Sequence, residues 1–288
     1  MTAEERLVTL LNPQPELGCF EKDGVQINYA VGGSGQDMVL LHGGTSGWGM
    51  WCYLLPELYK HFRVWTLDIP GSGGSSKKVY ADHDRHVDVL AEFIRTKCAR
   101  SIIVIGHSYG GWLALKLALH SFAVIGKIVL VNSMGFSLSA PPLFRFSTLS
   151  PIKYILTKTA LSPTRQHMDD FMRSVFYDRN LKLSIELFDY FYEALFRNSF
   201  LHPLSFIASL YSHGRIKKKF DIRSECAKIT QPILGIWGDA DPVEPLEFQR
   251  AGFSLLPNFV VKVCERSGHV PPLERPEECL KLILNFCS

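Results

Sequence analysis

Ser108 stands in Gly106-His107-Ser108-Tyr109-Gly110-Gly111, between the apolar run Ser101-Ile102-Ile103-Val104-Ile105 and a helical pattern opening with Trp112-Leu113-Ala114-Leu115. A serine in G-x-S-x-G between a strand and a helix is a nucleophile on a tight turn: small flanking residues let the backbone close in, and the hydroxyl is lifted clear of the sheet. The same turn leaves the backbone N–H of Tyr109 at a helix N-terminus, aimed at incoming negative charge. Without a strand before it and a helix after it, the pattern would be only a glycine-rich loop.

A serine hydroxyl is a poor nucleophile at neutral pH and needs a base, which in turn needs an orienting carboxylate. His269, in Ser267-Gly268-His269-Val270-Pro271-Pro272, follows the last strand-like run and is the candidate base. Asp241, in Trp237-Gly238-Asp239-Ala240-Asp241-Pro242, follows the run 232–238 and is the candidate carboxylate. Asp239 and Glu244 compete with it. Asp239 lies so close to the strand end that it is expected to turn the chain, whereas Pro242 pins Asp241 in an extended conformation. His42 and His107 read as structural, and His61, His83, His86, His120, His167, His202 and His213 fall in helical or inserted segments with no comparable loop around them.

These three side chains need a scaffold that brings strand ends together. Residues 17–31 read as a hairpin broken at Asp23-Gly24, and 37–42, 62–69, 101–106, 127–133, 232–238 and 259–264 are short β-branched runs suited to the centre of a parallel sheet. Helical patterns at 84–98 and 111–122 lie between them, so strand and helix alternate, as in a parallel sheet with helices on both faces. The alternation fails between about 136 and 211, where the sequence turns helical and aromatic. That stretch reads as an insertion over the sheet, because the strand pattern resumes at Pro232-Ile233-Leu234.

Composition narrows the classes. The chain has 288 residues, 47% hydrophobic and 20% charged, with a formal net charge of +3, which is ordinary for a globular protein and too small for nucleic acid. The one basic cluster, Lys217-Lys218-Lys219 with Arg215 nearby, is short and reads as solvated. Seven scattered cysteines without C-x-x-C suit neither a disulfide framework nor a zinc site. The N-terminus lacks the basic-then-apolar order of a signal peptide, and no run approaches the ~18 apolar residues of a membrane span. A cytoplasmic enzyme without metal or organic cofactor is the expectation, and a homodimer is left open.

Five segments in order, Leu40–Gly47, Asp68–Ser75, Gly106–Gly111, Trp237–Pro245 and Ser267–Glu278, resemble the motifs of the α/β-hydrolase fold, and the resemblance runs from about residue 17 to the end. It implies a mostly parallel eight-stranded sheet with helices on both faces and a helical cap, dividing the chain into core residues 1–135, cap residues 136–211 and core residues 212–288. It also implies that Ser108 is the nucleophile, Asp241 the orienting acid and His269 the base, in the chain order of that fold. In this family one oxyanion donor is the N–H after the nucleophile, here Tyr109. The other lies in the H-G-x turn, which points to Gly44.

The implied chemistry is acyl transfer to water through an acyl-enzyme. Relatives such as haloalkane dehalogenases and epoxide hydrolases carry Asp where this chain has Ser108, and proline iminopeptidases carry Trp where it has Tyr109. Carbon–carbon bond hydrolases share the glycine-rich turn but place Asn where this chain has His107. Residues 136–211 hold 15 of the 34 Phe, Tyr and Trp residues. Part of that set must be core packing, yet collectively it favours a small apolar acyl or aryl ester. A carbon–carbon hydrolase, a cofactor-free perhydrolase and a non-catalytic ligand-binding protein remain the alternatives.

Overall fold

The structure is a computed structural model that describes residues 1–44, 46–77, 82–99, 101–120, 124–140, 164–196, 206 and 208–288. β1 (Glu16–Lys22) and β2 (Val25–Gly32) form the hairpin expected at Asp23-Gly24. Both turn residues take positive φ, 49° and 73°, as a tight two-residue hairpin demands. β3 (Gln36–Leu41), β4 (Phe62–Leu67), β5 (Ile102–His107) and β6 (Ile125–Val131) follow. A separate two-stranded hairpin, β7 (Tyr211–Ser212) with β8 (Arg215–Ile216), precedes β9 (Ile233–Gly238) and β10 (Phe259–Cys264).

The eight-stranded sheet runs β1-β2-β4-β3-β5-β6-β9-β10. β2 pairs antiparallel with β1 and with β4, and every other pair is parallel. Every residue of β5 and β9 is buried, which is why these strands read as unbroken apolar runs rather than as alternating ones. β10 sits at the edge and shows more exposed positions.

Helices cover both faces. α1 (Ala3–Thr9), α2 (Leu55–Leu58) and α8 (Pro276–Cys287) place Leu7, Leu58 and Ile283 in one core with Met38 and Leu40 of β3. α3 (His83–Lys97), α4 (Tyr109–Leu119) and α7 (Leu246–Phe253) place Phe93, Leu113 and Phe253 in the other, with Val39 and Leu41. Successive β3 residues therefore go to opposite faces, the two-residue period of a strand.

Between β6 and β9 the described residues hold α5 (Arg165–Val175), α6 (Ile185–Phe191) and the β7–β8 hairpin. Much of the expected helical insertion, namely 141–163, 197–205 and 207, lies outside the described residues. β7 begins at the C-terminal edge of the stretch read as free of strands, and two residues are too few to leave a pattern. α1, not anticipated either, packs beside α6, where Arg6 Nη2 meets Asp189 Oδ2 at 2.9 Å. All seven cysteines are free thiols. No helix among the described residues is long and apolar enough to cross a membrane.

The chain leaves β3 toward β4 on one side and later lays β5 on the other. The carboxyl ends of β3 and β5 flank this reversal, where doubly wound sheets open a crevice. His42-Gly43-Gly44 follows β3, and Ser108 follows β5.

Candidate active site

Ser108 links β5 to α4 with φ 50° and ψ −115°, a left-handed region that a residue with a side chain rarely adopts. The surroundings hold it there. Its N–H donates to Val131 O at 2.9 Å, and its carbonyl accepts from Met134 N at 3.2 Å. A Cβ on Gly106 would overlap the Gly110 carbonyl, and one on Gly110 would overlap the Leu41 carbonyl. Glycine is therefore required at both positions. Ser108 is half-buried between the buried His107 and Tyr109. Tyr109 opens α4, where a backbone N–H has no partner within the helix.

Asp241 is buried after β9. Its Oδ1 accepts from Val243 N at 2.7 Å and Glu244 N at 3.0 Å, and both its oxygens lie 3.0 Å from His269 Nδ1. Burial pushes its carboxyl up, but the His269 imidazole and the two backbone N–H groups outweigh burial and hold it below its ordinary value. An ionised carboxylate only accepts, so His269 carries its proton on Nδ1 and leaves a lone pair on Nε2. That is the tautomer a general base needs.

The competing carboxylates are engaged elsewhere. Asp239 Oδ1 accepts from Ser267 N at 3.2 Å, a turn contact. Glu244 takes Gln249 Nε2 at 2.6 Å and Tyr211 Oη at 3.4 Å, and burial followed by the nearby Asp241 charge pushes it well up.

The His269 loop is clamped from several sides. His269 N donates to Val175 O at 2.8 Å, at the end of α5. His107 Nε2 donates to the His269 carbonyl at 2.7 Å, and the two imidazoles stand 4.8 Å apart. Glu274 accepts from Gly268 N at 2.9 Å, Val270 N at 3.1 Å and Tyr177 N at 2.7 Å. Asp241 and His269 are thus in contact, with Ser108 on the adjoining elbow. Among the described residues Ser108 and His269 share no hydrogen bond, and such bonds are often loose before substrate arrives.

The glycine turn lies beside the nucleophile. A Cβ on Gly43 would sit 3.4 Å from Ser108 Cβ and 2.6 Å from His107 Nδ1. One on Gly44 would overlap the Phe206 ring. His42 fixes this turn: Ile69 N donates to its Nε2 at 2.9 Å, so its Nδ1 donates to Gly43 O at 2.5 Å. Burial holds it neutral, with a pKa lowered to about 4. His42 spends both ring nitrogens on backbone, as a structural histidine does, whereas His107 spends Nε2 there and, among the described residues, its buried Nδ1 has no hydrogen-bond partner.

Three residues important to this geometry were passed over in the sequence. Asn132, fully buried after β6, donates from Nδ2 to Asp241 Oδ2 at 2.6 Å and to Gly268 O at 2.9 Å, while its Oδ1 accepts from Gly238 N at 3.0 Å. His83 and His86, read as ordinary helix residues, place their Nδ1 atoms 2.7 and 2.9 Å from Tyr109 Oη. Their three-residue spacing at the start of α3 was the available signal. No cluster of three or more His, Cys, Asp or Glu side chains suited to a metal occurs among the described residues.

Comparison with known proteins agrees with this architecture. The chain is 27% identical over 274 residues to an uncharacterized hydrolase, YugF, of Bacillus subtilis, covering 93% of this chain and 96% of that one. It is 25% identical to the pimeloyl-[acyl-carrier protein] methyl ester esterase of Vibrio cholerae, covering 90% and 97%. The crystal structure of carboxylesterase CesB from Bacillus subtilis superposes with a TM-score of 0.76 at 16% identity, covering 99% and 96%, a likeness of fold. Residues 38–282 match the family described as Alpha/beta hydrolase family, and the chain belongs to that family of hydrolases.

Proposed function

We propose that the protein is a serine hydrolase that cleaves a small apolar acyl or aryl ester through an acyl-enzyme. The observation that carries the reading is the buried Asp241–His269 pair, with both carboxylate oxygens 3.0 Å from Nδ1, next to a serine strained onto an elbow. In this reading Ser108 attacks the carbonyl carbon while His269 Nε2 takes its proton. The N–H groups of Gly44 and Tyr109 receive the oxyanion. His269 then protonates the leaving alcohol, and in a second pass it activates the water that releases the acid.

Residues 136–211 act in this reading as a cap. Val175, at the end of α5, accepts from the backbone of His269, and Phe206 lies against Gly44, so the insertion reaches both the base and the oxyanion turn. The aromatic content of the insertion and the esterase named among the relatives support an apolar ester over a sugar or a phosphate.

The test is hydrolysis of p-nitrophenyl esters from acetate to octanoate by the wild type and by Ser108→Ala. Turnover that disappears with the serine is the expected result. Turnover equal in both proteins would overturn the assignment of Ser108.

A further inference from the structure

Phe206 lies near the C-terminal end of the aromatic insertion 136–211, and its ring occupies the space directly over Gly44. A Cβ on that glycine would overlap the ring, and the ring also stands edge-on to Tyr109 at 4.9 Å and to His83 at 5.8 Å. One aromatic side chain thus touches both residues assigned above as oxyanion donors, Gly44 at its Cα and Tyr109 at its ring.

The segment carrying Phe206 is tied to the core through polar groups whose proton positions can be worked out in sequence. Ser209 Oγ donates to Phe206 O at 2.6 Å, so the 2.8 Å contact between Ser209 Oγ and His83 Nε2 must have the imidazole donating. Burial lowers the His83 pKa to about 3 and keeps the ring neutral, which leaves Nδ1 to accept the Tyr109 hydroxyl proton at 2.7 Å. With that proton spent, His86 Nδ1 donates to Tyr109 Oη at 2.9 Å. The result is a directed chain from His86 through Tyr109, His83 and Ser209 to the backbone of Phe206. Lys217 Nζ, donating to Ala208 O at 3.0 Å and Ser209 O at 2.8 Å, holds the same segment from its other side.

We infer that Phe206 is a specificity-determining residue that limits the length of the acyl chain the site accepts, and that His83 and Ser209 are positioning residues that set its ring over Gly44. The inference rests on the ester-hydrolase reading of Ser108. A carbonyl whose oxygen lies between Gly44 and Tyr109 has its substituent against this ring, so short acyl groups pass and longer ones meet the phenyl edge.

The experiment measures, on the full chain, kcat/KM for p-nitrophenyl acetate and octanoate, together with labelling of Ser108 by p-nitrophenyl ethyl- and octylphosphonates read by mass spectrometry. Phe206→Ala should raise the octanoate-to-acetate ratio about tenfold or more, the order expected when a pocket gains room for several methylenes. Phe206→Leu should raise it less, and serves if the alanine variant does not fold. Ser209→Ala and His83→Phe should move the ratio in the same direction, and Ser209→Thr, which keeps the hydroxyl, should restore it. A purely structural role would lower both substrates in proportion and leave the ratio alone. Labelling of Ser108 with an unchanged ratio in both Phe206 variants overturns this inference but leaves the ester-hydrolase reading standing. No hydrolysis and no labelling in the wild type overturns that reading, and the inference with it.

Discussion

Asn132 and Asp241 share a 2.6 Å hydrogen bond in which the amide Nδ2 donates to Oδ2 of the carboxylate. Asn132 is fully buried with φ 43°, and its other contacts reach Gly268 O and Gly238 N. One side chain therefore joins the ends of β6 and β9 and the loop that carries His269. A carboxylate that accepts from Asn132, Val243 and Glu244 has little freedom left except to face the imidazole.

Asn132→Gly keeps the left-handed backbone and removes all three side-chain bonds. A hydrogen bond to a charged group is worth roughly 1.5–3 kcal/mol, so kcat for ester hydrolysis should fall by about tenfold to a hundredfold. KM should change less, because Asn132 touches Asp241 and not the substrate. Steady-state kinetics on one p-nitrophenyl ester decides the matter, and a kcat within twofold of wild type would show that the backbone donors orient Asp241 unaided.

Asp241→Asn should be far more damaging than Asp239→Asn. An amide at 241 can donate to His269 Nδ1 and so hold the ring in the wrong tautomer, a loss on the order of 10⁴ in kcat where the same change has been made in serine hydrolytic triads. Among the described residues the Asp239 carboxylate accepts from Ser267 N alone, a role that an asparagine oxygen can keep. Parallel kinetics of the two variants test the assignment, and the reverse ranking would transfer the orienting role to Asp239.

The parts legible in the sequence were those in which local pattern and burial agree. β5 and β9 are buried along their whole length, so their β-branched runs announced a central parallel strand. Ser108 and Asp241 follow these two strands and His269 follows the edge strand β10, and their surrounding glycines and prolines mark loops at strand ends. Asn132 carried no such signal, because its partners lie more than a hundred positions away and only the folded sheet brings β6 beside β9. His83 and His86 misled for a different reason: polar residues in the first turn of a helix normally face water. Here the turn is pressed against Tyr109, and both rings are fully buried.

Gly110→Ala tests whether the elbow is as tight as it looks. The new methyl would overlap the Leu41 carbonyl, a backbone atom of a central strand that cannot step aside as a flexible side chain could. Destabilisation of at least about 2 kcal/mol is expected from overpacking at such a site, measured by urea unfolding of the variant against wild type. An unchanged midpoint would mean that β3 and β5 can separate at their carboxyl ends.

Asp68 should give the protein a distinctive dependence on pH. It is fully buried after β4, accepts from Trp48 N at 2.8 Å and Gly74 N at 2.7 Å, and meets Tyr190 Oη of α6 at 3.4 Å. Burial raises its pKa to about 7, against the opposing pull of the two backbone N–H groups. The folded chain therefore binds this proton more tightly than the unfolded chain, whose aspartates titrate near ~4. The associated stability is fully present below that value and is lost as pH rises through about 7, where a buried carboxyl must ionise. Asp68→Asn cannot titrate. The stability of the wild type relative to Asp68→Asn should thus decline by about 3 kcal/mol between pH 5 and pH 8, most of the difference implied by a shift of that size. Urea unfolding of both proteins across that range isolates this one group from the buried histidines, which titrate in both. A difference independent of pH would mean that Asp68 is already ionised at pH 5 and that the Trp48 and Gly74 donors dominate its surroundings.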